Sequence, residues 1–236
     1  MLINKYLRQL FFKESFELFF SETCLNCHNR VEEPNFFLCY ICMSEIPLTH
    51  HSFYTDNLLE ISFKGRVNLF SGTSLMYFEK GGLVQKILFE IKYNQKPLLA
   101  SFFGRWLGAQ MLESRRFESV DLILPLPLHP EKKRQRGYNQ SAYFGRALAE
   151  TMGKEFRNDL LFRNTNAGSQ TKKGRTARMY AIENEYSIKD EHFLINRHVL
   201  IADDVITSGA TLESACTPFW NVQGIRLSFA CIAFTP

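Results

Sequence analysis

Val199-Leu-Ile-Ala-Asp203-Asp204-Val-Ile-Thr207-Ser208-Gly209-Ala210-Thr211 is the stretch whose reading decides the fold. An apolar run leads into two adjacent acids and then into hydroxyl-bearing and small residues. His198 to Ala202 reads as a buried strand, and a helix is expected from about Ala210. A glycine-containing turn that opens a helix presents backbone N–H groups to an anion. Thr207, Ser208 and Thr211 add hydroxyl donors, and Asp203 and Asp204 can accept hydrogen bonds from the vicinal hydroxyls of a ribose. Bare, the letters describe only a strand, a loop and a helix with a Ser/Thr N-cap. The acid pair followed by the hydroxyl–glycine run is more specific.

Working outward, strands and helices alternate. Thr73 to Phe78 reads as a strand, and Gly81-Gly82 opens a helical run through Leu83, Ile87, Leu88 and Ile91. Pro97 starts a second run through Leu98, Phe102, Trp106, Leu107 and Met111. Asp121 to Pro125 is a short buried strand, Ser141 to Met152 a helix, and Arg226 to Phe234 an alternating run. This order points to an α/β fold with a parallel sheet covered on both faces, which binds ligands at the carboxyl ends of its strands.

The segment Asp203-Asp-Val-Ile-Thr-Ser-Gly-Ala-Thr211 resembles the phosphoribosyl-pyrophosphate (PRPP) motif of type I phosphoribosyltransferases. Further segments resemble the competence protein F (ComF) family: Tyr77 to Gln85, Leu124-Pro-Leu-Pro-Leu-His129, Arg134-Gln-Arg-Gly-Tyr-Asn-Gln140, Gln170-Thr171, Arg178 and Asn184. The resemblance covers the chain after about residue 20 and includes a four-cysteine module ahead of the larger domain. It implies a type I phosphoribosyltransferase-like sheet with flanking helices, in which Asp203 and Asp204 hold the ribose hydroxyls. Val205, Thr207, Ser208, Gly209, Ala210 and Thr211 would complete the PRPP site, with Mg²⁺ accompanying the ligand. Ser208 stands where a second Thr is commoner, which keeps the hydroxyl. The family is associated with natural transformation, the uptake of single-stranded DNA, and its reaction is uncertain. DNA-uptake proteins are therefore expected partners.

Six cysteines divide into four and two. Cys24-Leu-Asn-Cys27 and Cys39-Tyr-Ile-Cys42 are separated by the 11 residues 28–38. Each CxxC forms a tight knuckle, and two knuckles supply four thiolates for tetrahedral zinc in a small ribbon. A disulfide pair and a redox CxxC compete with this reading. A cytosolic chain argues against the first, and doubling at this spacing argues against the second. His28, His50 and His51 are alternative ligands, although four sulfurs already close the shell. A closed shell makes the zinc structural. Cys216 and Cys231 read as small core hydrophobes.

Charge is unevenly spread. The 236 residues carry a net +4, yet residues 121–180 hold 12 Lys and Arg against 5 Asp and Glu, a local +7. Lys132, Lys133, Arg134 and Arg136 precede Tyr138, and a second run holds Lys172, Lys173, Arg175 and Arg178. Cations beside an aromatic suit single-stranded nucleic acid, and the same cations suit a pyrophosphate. The plain alternative is a solvated face. His129, just beyond the strand ending at Pro125, could shuttle a proton, although a lone histidine is more often structural. No catalytic residue is assigned.

Composition excludes disorder, collagen and coiled coil, with 45% hydrophobic and 22% charged residues. No segment has the apolar length to span a membrane, and no secretory signal is evident, so the chain is expected in the cytoplasm. Three regions follow: an amphipathic helix over 1–20, which packs on a neighbouring domain or lies on a membrane surface, the four-cysteine module over 21–55, and the phosphoribosyltransferase-like domain over 72–236. Three functions compete: a transferase using PRPP, a module binding PRPP and single-stranded DNA, and a zinc-ribbon adaptor. The reading preferred is a DNA-uptake factor on a PRPP-binding fold.

Overall fold

The computed structural model describes residues 23–31, 37–164 and 185–236. The expected helix over 1–20 and the basic run Lys172, Lys173, Arg175 and Arg178 lie outside the described residues. Two compact units divide between Ile46 and Pro47, so residues 47–71 belong to the larger one. In chain order the elements are α1 (Tyr40–Ser44), α2 (Leu58–Phe63), β1 (Leu69–Tyr77), α3 (Leu83–Tyr93), α4 (Pro97–Ser114), β2 (Leu122–Pro125), α5 (Pro130–Arg136) and α6 (Gln140–Met152). They continue with β3 (Glu155–Phe156), β4 (Leu161–Arg163), β5 (Tyr186–Ile188), β6 (His198–Ile206), α7 (Ala210–Cys216) and β7 (Arg226–Phe234).

The larger unit is built on a five-stranded sheet in the order β1-β7-β6-β2-β3, with every neighbouring pair parallel. β4 and β5 form a separate antiparallel pair. Parallel strands covered by helices on both faces lose the hydrophobic alternation of a half-exposed strand. β7 accordingly is buried from Leu227 to Phe234, as a sheet covered on both faces requires. Cys216 and Cys231 are both fully buried. Among the described residues, no helix is long and apolar enough to cross a membrane.

One face of the sheet carries α6 and α4, which pack against each other, α6 over β2 and β6 and α4 over β1 and β7. Small residues make this layering close. A Cβ on Gly145 would sit 3.1 Å from that of Ala202 in β6, and one on Gly104 would sit 2.4 Å from the carbonyl oxygen of Phe144. The opposite face is a cluster in which Leu59 and Phe63 of α2 and Leu212 and Ala215 of α7 join Val199, Ile201 and Phe229. Gly104→Ala is expected to lower stability by about 1–3 kcal/mol through overpacking, outweighing the roughly 1 kcal/mol that alanine gains in helix propensity. A urea midpoint at or above that of the parent would contradict this close approach.

β1 lies at the border of the sheet, and its outward backbone groups are nonetheless satisfied. Leu48 bridges Met76, Thr49 N donates to Leu75 O at 3.0 Å and Tyr77 N donates to Pro47 O at 2.8 Å. Gly72 N donates to Glu60 Oε1 at 2.8 Å, and Asn57 Nδ2 donates to Gly72 O at 2.9 Å. The Thr49 hydroxyl donates to Ser74 O. Arg116 holds Glu60 in place and donates to the carbonyls of His51 and Tyr54.

Candidate functional site

In the smaller unit the four sulfurs of Cys24, Cys27, Cys39 and Cys42 lie within 4.8 Å of one another. Local backbone geometry brings them there. Cys24 N donates to Asn29 O at 2.7 Å and His28 N to Cys24 O at 2.9 Å, with His28 in the left-handed region at φ 61°. The second knuckle runs into α1, whose first turn closes with Met43 N donating to Cys39 O at 2.9 Å. A tetrahedral zinc with bonds of about 2.3 Å has sulfur–sulfur edges of roughly 3.8 Å. Cys27 and Cys39 Sγ are 3.6 Å apart, so the four thiols fit, and the cluster can hold a metal ion such as zinc. Asn26 Nδ2 donates to Cys42 Sγ at 3.4 Å and orients one ligand from outside the shell. His51 is no substitute ligand. It is buried in the larger unit, with Nδ1 2.9 Å from Ser74 Oγ and Nε2 3.2 Å from Tyr77 Oη.

In the larger unit the acid pair is not in a loop. β6 continues past Ala202 to Ile206, pairing Asp203 with Cys231 and Val205 with Ala233 of β7. Both acids are therefore buried residues at the carboxyl end of a central strand, followed by Thr207, Ser208, Ala210 and Thr211, which are exposed. Asp203 Oδ1 accepts from Ser141 Oγ at 2.9 Å and from Asp204 N at 2.8 Å. Asp204 Oδ2 faces Lys92 Nζ at 3.2 Å. That contact is ionic without the alignment of a hydrogen bond, so the oxygen is buried with no hydrogen-bond donor. An oxygen of this kind suits a hard cation or a hydroxyl.

Burial, reinforced by the neighbouring Asp204, pushes the Asp203 carboxyl up to about 7. An unfolded aspartate titrates near 3.9. The folded state therefore holds this proton more tightly, and the associated stability is lost as pH rises from about 4 toward 7. Asp203→Asn is expected to raise the melting temperature over the parent at pH 8 and to lose that advantage progressively toward about pH 4. A pH-independent difference would show that Asp203 ionises as an ordinary carboxyl.

The turn after β6 is fixed from outside. Gly209 has φ 77°, and a Cβ there would meet Phe63 Cζ at 2.7 Å. Arg66 Nη2 donates to Ser208 O at 2.9 Å and to Glu213 Oε2 at 2.7 Å, so this guanidinium spans the turn and α7. Tyr186, nearly fully buried, keeps a hydroxyl with no hydrogen-bond partner. Burial, together with the acids Glu185 and Asp203, pushes that phenol well above its ordinary range.

The basic run beginning at Lys132 does not form one surface. It folds as α5, whose N-cap is His129, with Nδ1 accepting from Glu131 N at 3.3 Å. That cap is a structural role for His129. Lys132 and Arg136, one turn apart, line a cavity of about 210 Å³ with Lys92, Tyr93, Gln95 and Gln135. Lys133 and Arg134 line a separate cleft of about 800 Å³ at the end of β2, between proline walls and the rings of Tyr138, Tyr143 and Phe162. Tyr138 offers little free face, since its hydroxyl donates to Ile91 O and its ring stands edge-on to Tyr143 at 5.7 Å. The exposed rings are Tyr143 at 38% and Phe162 at 41%.

Lys92, Ser141 and Arg66, which contact the acid pair or the turn after β6, carried no signal in the sequence reading. Asn139, which lies in the segment Arg134 to Gln140, caps α6 at Ser141 N and donates to Leu126 O at 3.0 Å. No protein-family model matches this chain, and no curated protein matches it.

Proposed function

We propose that the chain is a DNA-uptake factor of the competence protein F type, with a PRPP-binding site in its larger unit and a structural zinc in its smaller one. The observation that carries this reading is the buried Asp203–Asp204 pair at the carboxyl end of central strand β6, opening onto the exposed hydroxyls of Thr207, Ser208 and Thr211. A phosphorylated ribose needs acceptors for its two ring hydroxyls and donors for its 5-phosphate, and these residues supply both in that order. Ser141 positions Asp203 for that task, and Arg66 fixes the turn that would receive the phosphate. Mg²⁺, when bound with PRPP, would neutralise charge on the pyrophosphate. Asp203 and Asp204 would hold it together with the ribose.

The cleft beside α5 supports the second half of the reading. Its cations Lys133 and Arg134 meet phosphates, and the exposed rings of Tyr143 and Phe162 stack bases. Transferase turnover is the competing reading; there an acceptor substrate would be the nucleophile that displaces pyrophosphate from PRPP.

PRPP with Mg²⁺ is expected to raise the melting temperature of the full chain by mass action on the folded state. Asp204→Asn should weaken that shift at least about tenfold in ligand concentration, because it removes charge where metal and hydroxyls meet. No thermal shift and no calorimetric heat at saturating PRPP would end the phosphoribosyl reading.

A further inference from the structure

α4 is apolar on both of its sides. Leu99, Phe103, Leu107 and Met111 on the inner side fill the core. At about 100° per residue, Leu98, Phe102, Trp106, Ala109 and Leu112 fall together on the outer side. Leu98 is 60% and Leu112 49% exposed, Ala109 is exposed, and the rings of Phe102 and Trp106 are half-buried. A helix that is hydrophobic all round is ordinarily buried all round. The apolar surface continues past the end of α4, where Arg116 donates to the carbonyl of Tyr54 and the side chains of Phe53 and Tyr54 are exposed. Two exposed charges complete the outer face, Arg105 and Glu113, each four positions from Ala109. They are two turns apart, roughly 12 Å along the axis, and too far to pair with each other. Neither makes an ion pair among the described residues.

We propose that this face joins the chain to a second copy of itself, α4 crossing α4 antiparallel on a two-fold axis at Ala109. A two-fold interface is self-complementary, so that when one residue meets another the reverse contact also forms. With Ala109 on the axis, Arg105 meets Glu113 of the partner subunit and Glu113 meets its Arg105. Trp106 and Leu112 exchange contacts in the same way. The small side chain of Ala109 lets the two helices approach to about 8 Å, the close end of the usual range. The antiparallel run also carries Leu98 toward Phe53 and Tyr54 of the partner subunit, which lengthens the apolar contact. Lipid is a poorer match, because a helix lying on a membrane is rich in cations on its polar face. Here one cation is balanced by one anion, and their mirror placement about Ala109 is what a second copy requires. The proposal stands apart from the phosphoribosyl reading, since none of these α4 residues lines the basic cleft or touches the acid pair.

Sedimentation equilibrium of the full chain over a wide concentration range, at low salt, tests it. The parent is expected to dimerise. Arg105→Glu and Glu113→Arg each set like charges against each other at two symmetry-related points, and each should weaken the dimer at least about tenfold. The chain carrying both changes regains opposite charges at both points and should dimerise like the parent. An equimolar mixture of the two single variants should form a mixed dimer that neither forms alone. Both positions are exposed, so these variants read the surface without disturbing the core. A parent that stays monomeric throughout overturns the proposal. A dimer indifferent to both reversals places the interface elsewhere and overturns this face. Loss in both single variants, with no recovery in the doubly changed chain or in the mixture, overturns the two-fold register. A monomeric parent that binds anionic phospholipid vesicles gives the face to lipid. A monomeric parent in which Arg105→Glu speeds tryptic cleavage within residues 1–20 gives it to the chain's own N-terminal segment. Either result overturns the second copy as occupant.

Discussion

Replacing Cys42 with Ser is expected to strip the metal from the four-sulfur cluster and unfold the smaller unit, while the larger unit keeps its transition. The effect should be large, because apparent binding free energies for structural zinc are about 10–16 kcal/mol at neutral pH and are spent on folding. Cys42 is buried, and among the described residues no fifth His, Cys, Asp or Glu joins the cluster. Zinc content should fall from about one per chain to near zero, since three remaining thiolates leave the tetrahedral shell open. Limited proteolysis should then cut within the smaller unit and spare the product beginning near Pro47. The parent chain, treated with a strong chelator, should reproduce the variant. Protein purified without chelator that contains no zinc and has these cysteines in disulfides would falsify the metal assignment.

Reversing the charge of Lys133 and Arg134 together is expected to cut affinity for single-stranded DNA by on the order of a hundredfold at low salt, because two phosphates are left without their cations. If the intact surface neutralises about four phosphates, the log–log salt slope of the parent is near −3, from roughly −0.7 per neutralised phosphate on single strands. The double reversal should flatten it by about 1.4. Reversal of Lys132 and Arg136 should leave the slope close to that of the parent, because these residues face the smaller cavity. Phe162→Ala and Tyr143→Ala should each weaken binding to oligothymidylate but not to an abasic strand of equal length, since only bases can stack. Fluorescence anisotropy across a salt series measures all of this. Equal slopes for both double reversals would place the DNA elsewhere. Equal affinity for duplex and single strand would remove the stacking rings from the account.

The strand-and-helix order was readable because apolar runs and their breakers are local signals. Gly81-Gly82, Pro97 and Gly209 punctuate the chain where elements begin or turn. The doubled CxxC was readable for the same reason, since four ligands in two short segments nearly fix their own geometry. The length of β6 was not readable. Two adjacent aspartates disfavour a strand, and only the register with β7 and the bonds from Ser141 and Asp204 N carry it through them. Nor was the division of the basic run legible. Consecutive cations in a sequence look like one patch, whereas a helical turn sends Lys132 and Arg136 one way and Lys133 and Arg134 another. Lys92 carried no signal at all. At the end of an apolar helix it reads as an ordinary solvated lysine, and its importance comes from Asp204, which is 112 positions further along. Tyr138 misled in the opposite direction, because an aromatic beside cations looks free until its hydroxyl is found on Ile91 O.

The satisfied border of β1 governs how this molecule can meet its neighbours. A strand with bare amides and carbonyls is a template on which another chain can add a strand, and from there begin an aggregate. Here Asn57, Glu60 and the segment from Pro47 to Thr49 occupy the outward groups of β1 at Gly72, Ser74, Leu75 and Tyr77. At the other border, β3 is only two residues long and gives a second chain little to copy. The stretch from Pro47 to Glu60 is thus a guard rail and not a linker. A chain shortened to begin at Leu69 would keep every strand of the sheet and lose its protection against self-templating.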